Sequence, residues 1–236
     1  MQKKFNQALL TTNLNFATRD MLYYSSVAVS ALDAVLSIRA DYCKTIKIRL
    51  EKFCKLYNIT WKTYKVIPSK KRQITVSEVY RRMNGITADI LAKSLKFEQP
   101  ATTTKNNNKR IKKTEAFLRF IKILIRYGID TYQDIINVIK KGGFCELEQE
   151  LKEIPGQKVS VDYFFMLASK SDTVKVDRHI RKFALDVTGE KYLKNKQIVD
   201  LFRNGAAFLM QNGYPEMTPR YLDHIVWEYQ KKNKKE

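Results

Sequence analysis

The sequence predicts an all-α fold, and three observations carry that expectation. Glycine (8) and proline (5) are sparse among 236 residues, which disfavours a turn-rich β architecture. Apolar residues recur at spacings of three and four, the repeat of a helix with one buried face. No stretch sustains the alternation of a half-buried strand. Hydrophobic residues make up 44% of the chain, enough for a core and against wholesale disorder.

Taken in order, residues 1–19 are polar and weakly periodic. A first helix is expected to open at Arg19 or Asp20 and run to about Arg39. Its apolar part, Ser25–Leu36, is broken by Asp33 and too short to span a bilayer, so it reads as buried. Asp41 is placed to cap a second helix with Ile46, Leu50, Phe53, Cys54 and Tyr57 on one face. Residues 58–73, holding Pro68 and the run Ser69-Lys70-Lys71-Arg72, read as a loop. Helical patterns resume over 75–83 and 86–97, broken by Asn84-Gly85. Residues 98–113 form a polar, basic linker of low complexity. A strongly amphipathic helix follows over 112–127, with Phe117, Phe120, Ile121, Leu124 and Ile125 inside and Gly128 placed to cap it.

Thr131 starts a short helix, a helical hairpin spans about Leu147–Ala168, and helices lie near 177–187 and 195–211. Thr218-Pro219 is an N-cap and first-turn pair for a last helix reaching about Tyr229. The basic tail beyond it is expected to fray. About ten helices are expected in all, by this periodicity.

The formal charge is +20, from 44 Lys and Arg against 24 Asp and Glu. The usual partner of such a field is nucleic acid, less often an acidic membrane. Cys43, Cys54 and Cys145 are scattered, without a CxxC pair. With two histidines besides, they argue against a disulfide framework, a zinc site or an iron–sulfur cluster. No metal ligands are assigned. No leader or membrane span is recognisable, so an intracellular protein is expected, cytoplasmic, in the nucleoid or nuclear.

Two segments point to chemistry. In the first, Leu147, Leu151 and Ile154 form one apolar stripe that Pro155 and Gly156 end. A second helix begins near Lys158 or Val159. The first N–H groups of a helix have no intrahelical partner, which makes such a start a phosphate site. An ordinary αα-hairpin with a Pro-Gly turn is the competing reading. In the second, Asp177 stands in Thr-Val-Lys-Val-Asp-Arg-His-Ile-Arg-Lys-Phe. A helix start favours both a capping Asp and its negative charge. A fixed carboxylate can also stabilise the positive charge that develops on a sugar as a glycosidic bond breaks.

The segment 151–189 resembles the helix-hairpin-helix DNA glycosylases of the endonuclease III superfamily. Their L-P-G-x-G is matched by Ile154-Pro155-Gly156-Gln157-Lys158, and their V-D-x-H-V by Val176-Asp177-Arg178-His179-Ile180. The basic residue five places on is Lys182, and the glycine twelve places on is Gly189. Ala34-Val35-Leu36-Ser37-Ile38-Arg39-Ala40 is similar to the family's helix ending in L-S-x-Q-x, whose Gln fills the gap left by an extruded base. Arg39 takes that position.

The resemblance implies two helical lobes around a DNA-binding groove. One would be residues 26–170, ending in the hairpin, and the other residues 1–25 plus 171–236. It implies a monomer that binds double-stranded DNA, not a membrane, through Gly156, Gln157, Lys158, Ser160 and Arg39. No cofactor is implied beyond a monovalent cation at the hairpin. Two departures bear on the chemistry. Lys158 replaces the hairpin's second glycine. Ser160 stands where bifunctional members carry a lysine that attacks the sugar. The implied activity is therefore monofunctional base excision, a hydrolase with Asp177 as the catalytic group and Ser160 at the vacated lysine position. Lys158 and Lys175 remain as displaced nucleophiles. A non-catalytic module binding DNA or RNA is the alternative.

Overall fold

The computed structural model describes residues 1–16, 23–61, 63–64, 66–101, 111–169 and 174–233. Among them lie twelve α-helices, one two-stranded antiparallel pairing and little else of regular structure, so the fold is all-α. The chain forms two compact units, Leu22–Ser169, and Met1–Met21 with Lys170–Glu236. Most of the 98–113 linker, the expected helix opening at Arg19 or Asp20, and the last tail residues lie outside the described residues.

The unit Leu22–Ser169 is built around one helix, α2 (Val27–Leu36), all ten of whose residues are buried. Before it, β1 (Tyr23–Tyr24) pairs with β2 (Thr63–Tyr64). The helix expected to reach Arg39 is thus shorter at both ends. Ser26 caps it, accepting the Ala28 N–H, and the chain turns away after Leu36. A single π-helical turn, Tyr42–Ile46, follows the Asp41 cap and leads into α3 (Lys47–Leu56). Thr75 and Thr87 cap α4 (Val76–Met83) and α5 (Ala88–Leu95), each accepting an N–H of the first turn. Next come α6 (Lys113–Arg126), α7 (Tyr132–Lys140), α8 (Phe144–Glu153) and α9 (Lys158–Ala168). Both α6 and α9 pack against α2. Phe53, Phe117, Phe120 and Phe164 fill the core around them.

The second unit joins α1 (Gln2–Thr11) to α10 (Arg178–Thr188), α11 (Asn195–Gln211) and α12 (Pro219–Lys232). The first of these was not expected, because only Phe5 and Leu9 of its ten residues are buried. Phe5 meets the rings of Phe183 and Phe202 at 5.9 and 5.1 Å, the edge-on and tilted contacts that aromatic rings favour. Gly205, in the middle of α11, makes this close approach feasible. A Cβ there would stand 2.9 Å from both Leu9 and Phe5.

Gly205→Ala should therefore destabilise the fold by about 1–3 kcal/mol through overpacking, even though alanine is the better helix former. Urea unfolding of the two proteins measures this, and a more stable variant would contradict the close packing of α1 on α11.

Candidate functional site

The turn between α8 and α9 has the geometry its residues demand. The Ile154 carbonyl accepts the Gln157 N–H at 3.0 Å, and Gly156 sits at φ +80°, where any side chain would be strained. Lys158 is the first residue of α9 and has no positive φ, so a lysine fits at this position without backbone strain. No side chain caps α9. Its first-turn N–H groups are left for solvent or an anion, beside the exposed ammonium of Lys158.

Beneath the turn lie two buried polar residues. Ser160 is 1% exposed and its hydroxyl reaches back to the Gln157 carbonyl at 2.9 Å and to the Gln157 side-chain oxygen. Gln157 is fully buried, and its Nε2 has no partner among the described residues. Ser160 thus faces inward, whereas Lys158 and Val159 face out. The Gln157 carbonyl already accepts from Val161 N–H and from Ser160, which leaves it no lone pair for a cation. The Ile154 carbonyl keeps one. A shallow groove of about 670 Å³ runs along the outside of the turn, lined by Glu148, Lys152, Pro155, Gly156, Lys158 and Val159. Lys152 is held by Glu148 at 2.8 Å and Asp162 at 3.2 Å, so its charge is engaged.

Asp177 caps α10. Its Oδ1 accepts the N–H groups of His179 (2.8 Å) and Ile180 (3.0 Å). Among the described residues its Oδ2 takes no hydrogen bond, and the side chain is half-buried. One oxygen is fixed to the helix while the other is presented. The Asp177 N–H donates to the Lys175 carbonyl at 2.7 Å, which tightens the extended entry. Gly189, at φ +75°, closes α10 by donating to Leu185, and Lys182 pairs with Asp186 on the exposed face. His179 is nearly buried, its ring edge-on to Trp227 of α12, and His224 stacks on the same indole.

Two residues of these sites were missed from the sequence. Asp223 of α12 is 7% exposed. Burial pushes its carboxyl well above the usual carboxylate range and the charge of Asp177 adds to this, while Lys175 and Arg220 act against it. Its position in step with buried Arg220, Val226 and Gln230 was the available signal. Lys113, at the start of α6, is 3% exposed and carried no such signal. Its ammonium donates to the carbonyls of Leu36 (2.8 Å) and Ile38 and to Gln99 Oε1 (3.1 Å). It therefore clamps the C-terminal end of α2, where carbonyls lack helical partners. Arg39 follows at once, exposed and at φ 56°, a conformation that costs a non-glycine residue about 1–2 kcal/mol.

Large aromatic side chains are found in both units. Tyr24 donates its hydroxyl to the buried Asp33 at 2.8 Å, so Tyr42, 3.0 Å away, donates to Tyr24. Trp61 lies against Tyr24 at 5.6 Å, and Tyr23 packs edge-on to Tyr132. Trp227 belongs to the other unit. Among the described residues no group of three or more His, Cys, Asp or Glu is arranged to hold a metal ion. Nor is any helix there long and apolar enough to cross a membrane.

Burial of Lys113, and then the neighbouring Arg39 charge, pull its ammonium down from 10.5 to about 8. A depressed lysine contributes stability that is present above its unfolded value and lost as pH falls through the folded one. Wild type should gain stability relative to Lys113→Met as pH rises from about 8 to 10.5, read by urea unfolding. A difference independent of pH would show that Lys113 is not desolvated.

A family model described as a domain of unknown function (DUF8548) matches residues 3–231, and the chain belongs to that family. No curated protein and no solved structure matches it.

Proposed function

We propose that the chain is a monofunctional DNA N-glycosylase of the helix-hairpin-helix type, which hydrolyses the bond between a damaged or mismatched base and its deoxyribose. The observation that carries this reading is the Asp177 carboxylate, with one oxygen tied to the start of α10 and the other unbonded among the described residues. A charge so oriented is preorganised for a cationic transition state. As the glycosidic bond lengthens, the free oxygen stabilises the oxocarbenium character of the sugar. Water adds to the sugar carbon and gives up a proton, and the base leaves with the bonding electrons and takes one up.

The remaining parts of the reading serve recognition. The first-turn N–H groups of α9 and Lys158 grip phosphates without regard to sequence. The formal charge of +20 supplies the long-range attraction to duplex DNA. Arg39, exposed and held in a strained conformation, fills the space left when a base is extruded. Extrusion costs a few kcal/mol and least at a damaged or mismatched pair, which gives selectivity before any chemistry. The inward Ser160 provides no amine for attack on the sugar, in keeping with base removal without a covalent intermediate.

The test is single-turnover excision on a panel of duplexes bearing common lesions and mismatches. Wild type should release one class of base. Asp177→Asn should bind the same duplex and lose excision by on the order of 10²-fold or more. Borohydride should trap no covalent adduct on abasic DNA, since an amine nucleophile is what that reagent captures. Salt-dependent binding without excision of any lesion would assign a non-catalytic DNA-binding module instead.

A further inference from the structure

We propose that Lys113 is a positioning residue for Arg39: it sets the left-handed backbone from which Arg39 enters the space left by an extruded base. This rests on the reading of Arg39 as that gap-filling residue, and it adds what holds Arg39 in place. The Lys113 ammonium has three N–H donors and three acceptors, the carbonyls of Leu36 (2.8 Å) and Ile38 and the Gln99 Oε1 (3.1 Å). Every donor is used, so the direction of the head group is fixed. The Lys113 backbone N–H donates to the Gln99 carbonyl at 3.0 Å, so Gln99 grips both ends of the same residue. The ring of Phe97 lies 5.3 Å from the ammonium and helps to enclose it.

These bonds act on Arg39 through the peptide planes on either side of it. The Ile38 carbonyl and the Arg39 N–H share one rigid plane. Lys113 therefore fixes the N-terminal side of Arg39. On the other side, the Ala40 N–H donates to the Ser37 carbonyl at 3.4 Å, which holds the plane between Arg39 and Ala40. Ser37 is in turn tied to Asp33 through its N–H (2.9 Å) and its hydroxyl (2.7 Å). Arg39 thus stands between two held planes at φ 56°, and its exposed side chain makes no hydrogen bond or ion pair among the described residues. Nor does any carboxylate there pair with the Lys113 ammonium, which oxygen dipoles alone balance. A buried cation so balanced is a costly way to finish a helix. What it secures is the position of the peptide between residues 38 and 39.

The experiment has two arms, the first without DNA. Thermal unfolding is followed in wild type, Arg39→Gly, Lys113→Met and the double variant. Glycine adopts positive φ freely, so Arg39→Gly should raise the melting temperature by about 1–3 °C while the clamp is intact. With Lys113→Met the backbone is released, and the same change should bring no gain. In the second arm, a duplex carrying 2-aminopurine beside a mismatch reports extrusion by its fluorescence. Lys113→Met should lose extrusion by on the order of 10-fold. Its affinity for undamaged duplex should change little, because phosphates are gripped elsewhere. Arg39→Ala should lose as much, and adding Lys113→Met to it should remove nothing further. If Lys113→Met does not fold, Lys113→Gln, shorter and neutral, takes its place in both arms.

An Arg39→Gly gain that is the same with and without Lys113 would overturn the clamp. Extrusion unchanged in Lys113→Met would overturn the positioning role, and so would a loss that persists undiminished in the Arg39→Ala background, since Lys113 would then act on something other than Arg39. If wild type extrudes no base, the reading of Arg39 fails and the positioning role fails with it. The unfolding arm still decides whether Lys113 holds the backbone of Arg39.

Discussion

A helix buried on every side has no water to turn to, and this constraint organises the unit Leu22–Ser169. The ten residues of α2 are all buried. Each polar group it carries must find its partner inside, because an unpaired one costs about 1–3 kcal/mol. Those partners come from separate elements. Tyr24 of β1 donates to Asp33, Tyr132 of α7 shares a hydrogen bond with Ser30 at 2.9 Å, and Lys113 of α6 takes the carbonyls at the C-terminal end. Asp33 and Ser37 close one turn of the helix on themselves at 2.7 Å. Mispacking any one of these elements would leave a buried dipole or charge unpaired, so the polar partners specify how the apolar layers assemble.

The same constraint explains Arg39. Lys113 fixes the carbonyl of Ile38, the residue just before it, and the chain must then leave α2 abruptly. The left-handed backbone at Arg39 is the result, and its cost is borne by a clamp buried beneath it. An exposed, long, charged side chain is thereby set on a backbone that cannot relax freely. The second unit uses a comparable arrangement at Asp177. There the start of α10 and the tight turn that joins the Asp177 N–H to the Lys175 carbonyl hold one carboxylate.

How legible this was in the sequence depended on the range of the interactions. Caps are local, so Asp41, Thr75, Thr87, Asp177 and Thr218 can be recognised from three or four neighbouring residues. The hairpin and the amphipathic α6 were legible for the same reason. Helix α1 was not, because two buried residues in ten give almost no periodic signal, and it is α10 and α11 that stabilise it. The shortening of α2 was equally hidden. A continuous apolar run says that a helix is buried but not where it stops, which here depends on a lysine 77 residues away. Lys113 shares this character: its role exists only through partners distant in sequence.

Position 160 shows why the residue in a motif and its surroundings have to be read together. Ser160 has one proton and two nearby acceptors on Gln157, the backbone carbonyl at 2.9 Å and the side-chain amide. One proton cannot serve both. The consistent arrangement donates it to the carbonyl and turns the amide so that its NH₂ faces the hydroxyl oxygen. That arrangement also gives a partner to the Gln157 nitrogen, which is otherwise unpaired in the interior. The two side chains then form a polar knot under the turn, sized for a hydroxyl. A lysine at 160 would have to carry four methylenes and an ammonium out of this knot, breaking its bonds and leaving Gln157 buried and unpaired. Serine at 160 and glutamine at 157 are therefore a matched pair, so placing a lysine here would require both positions to change.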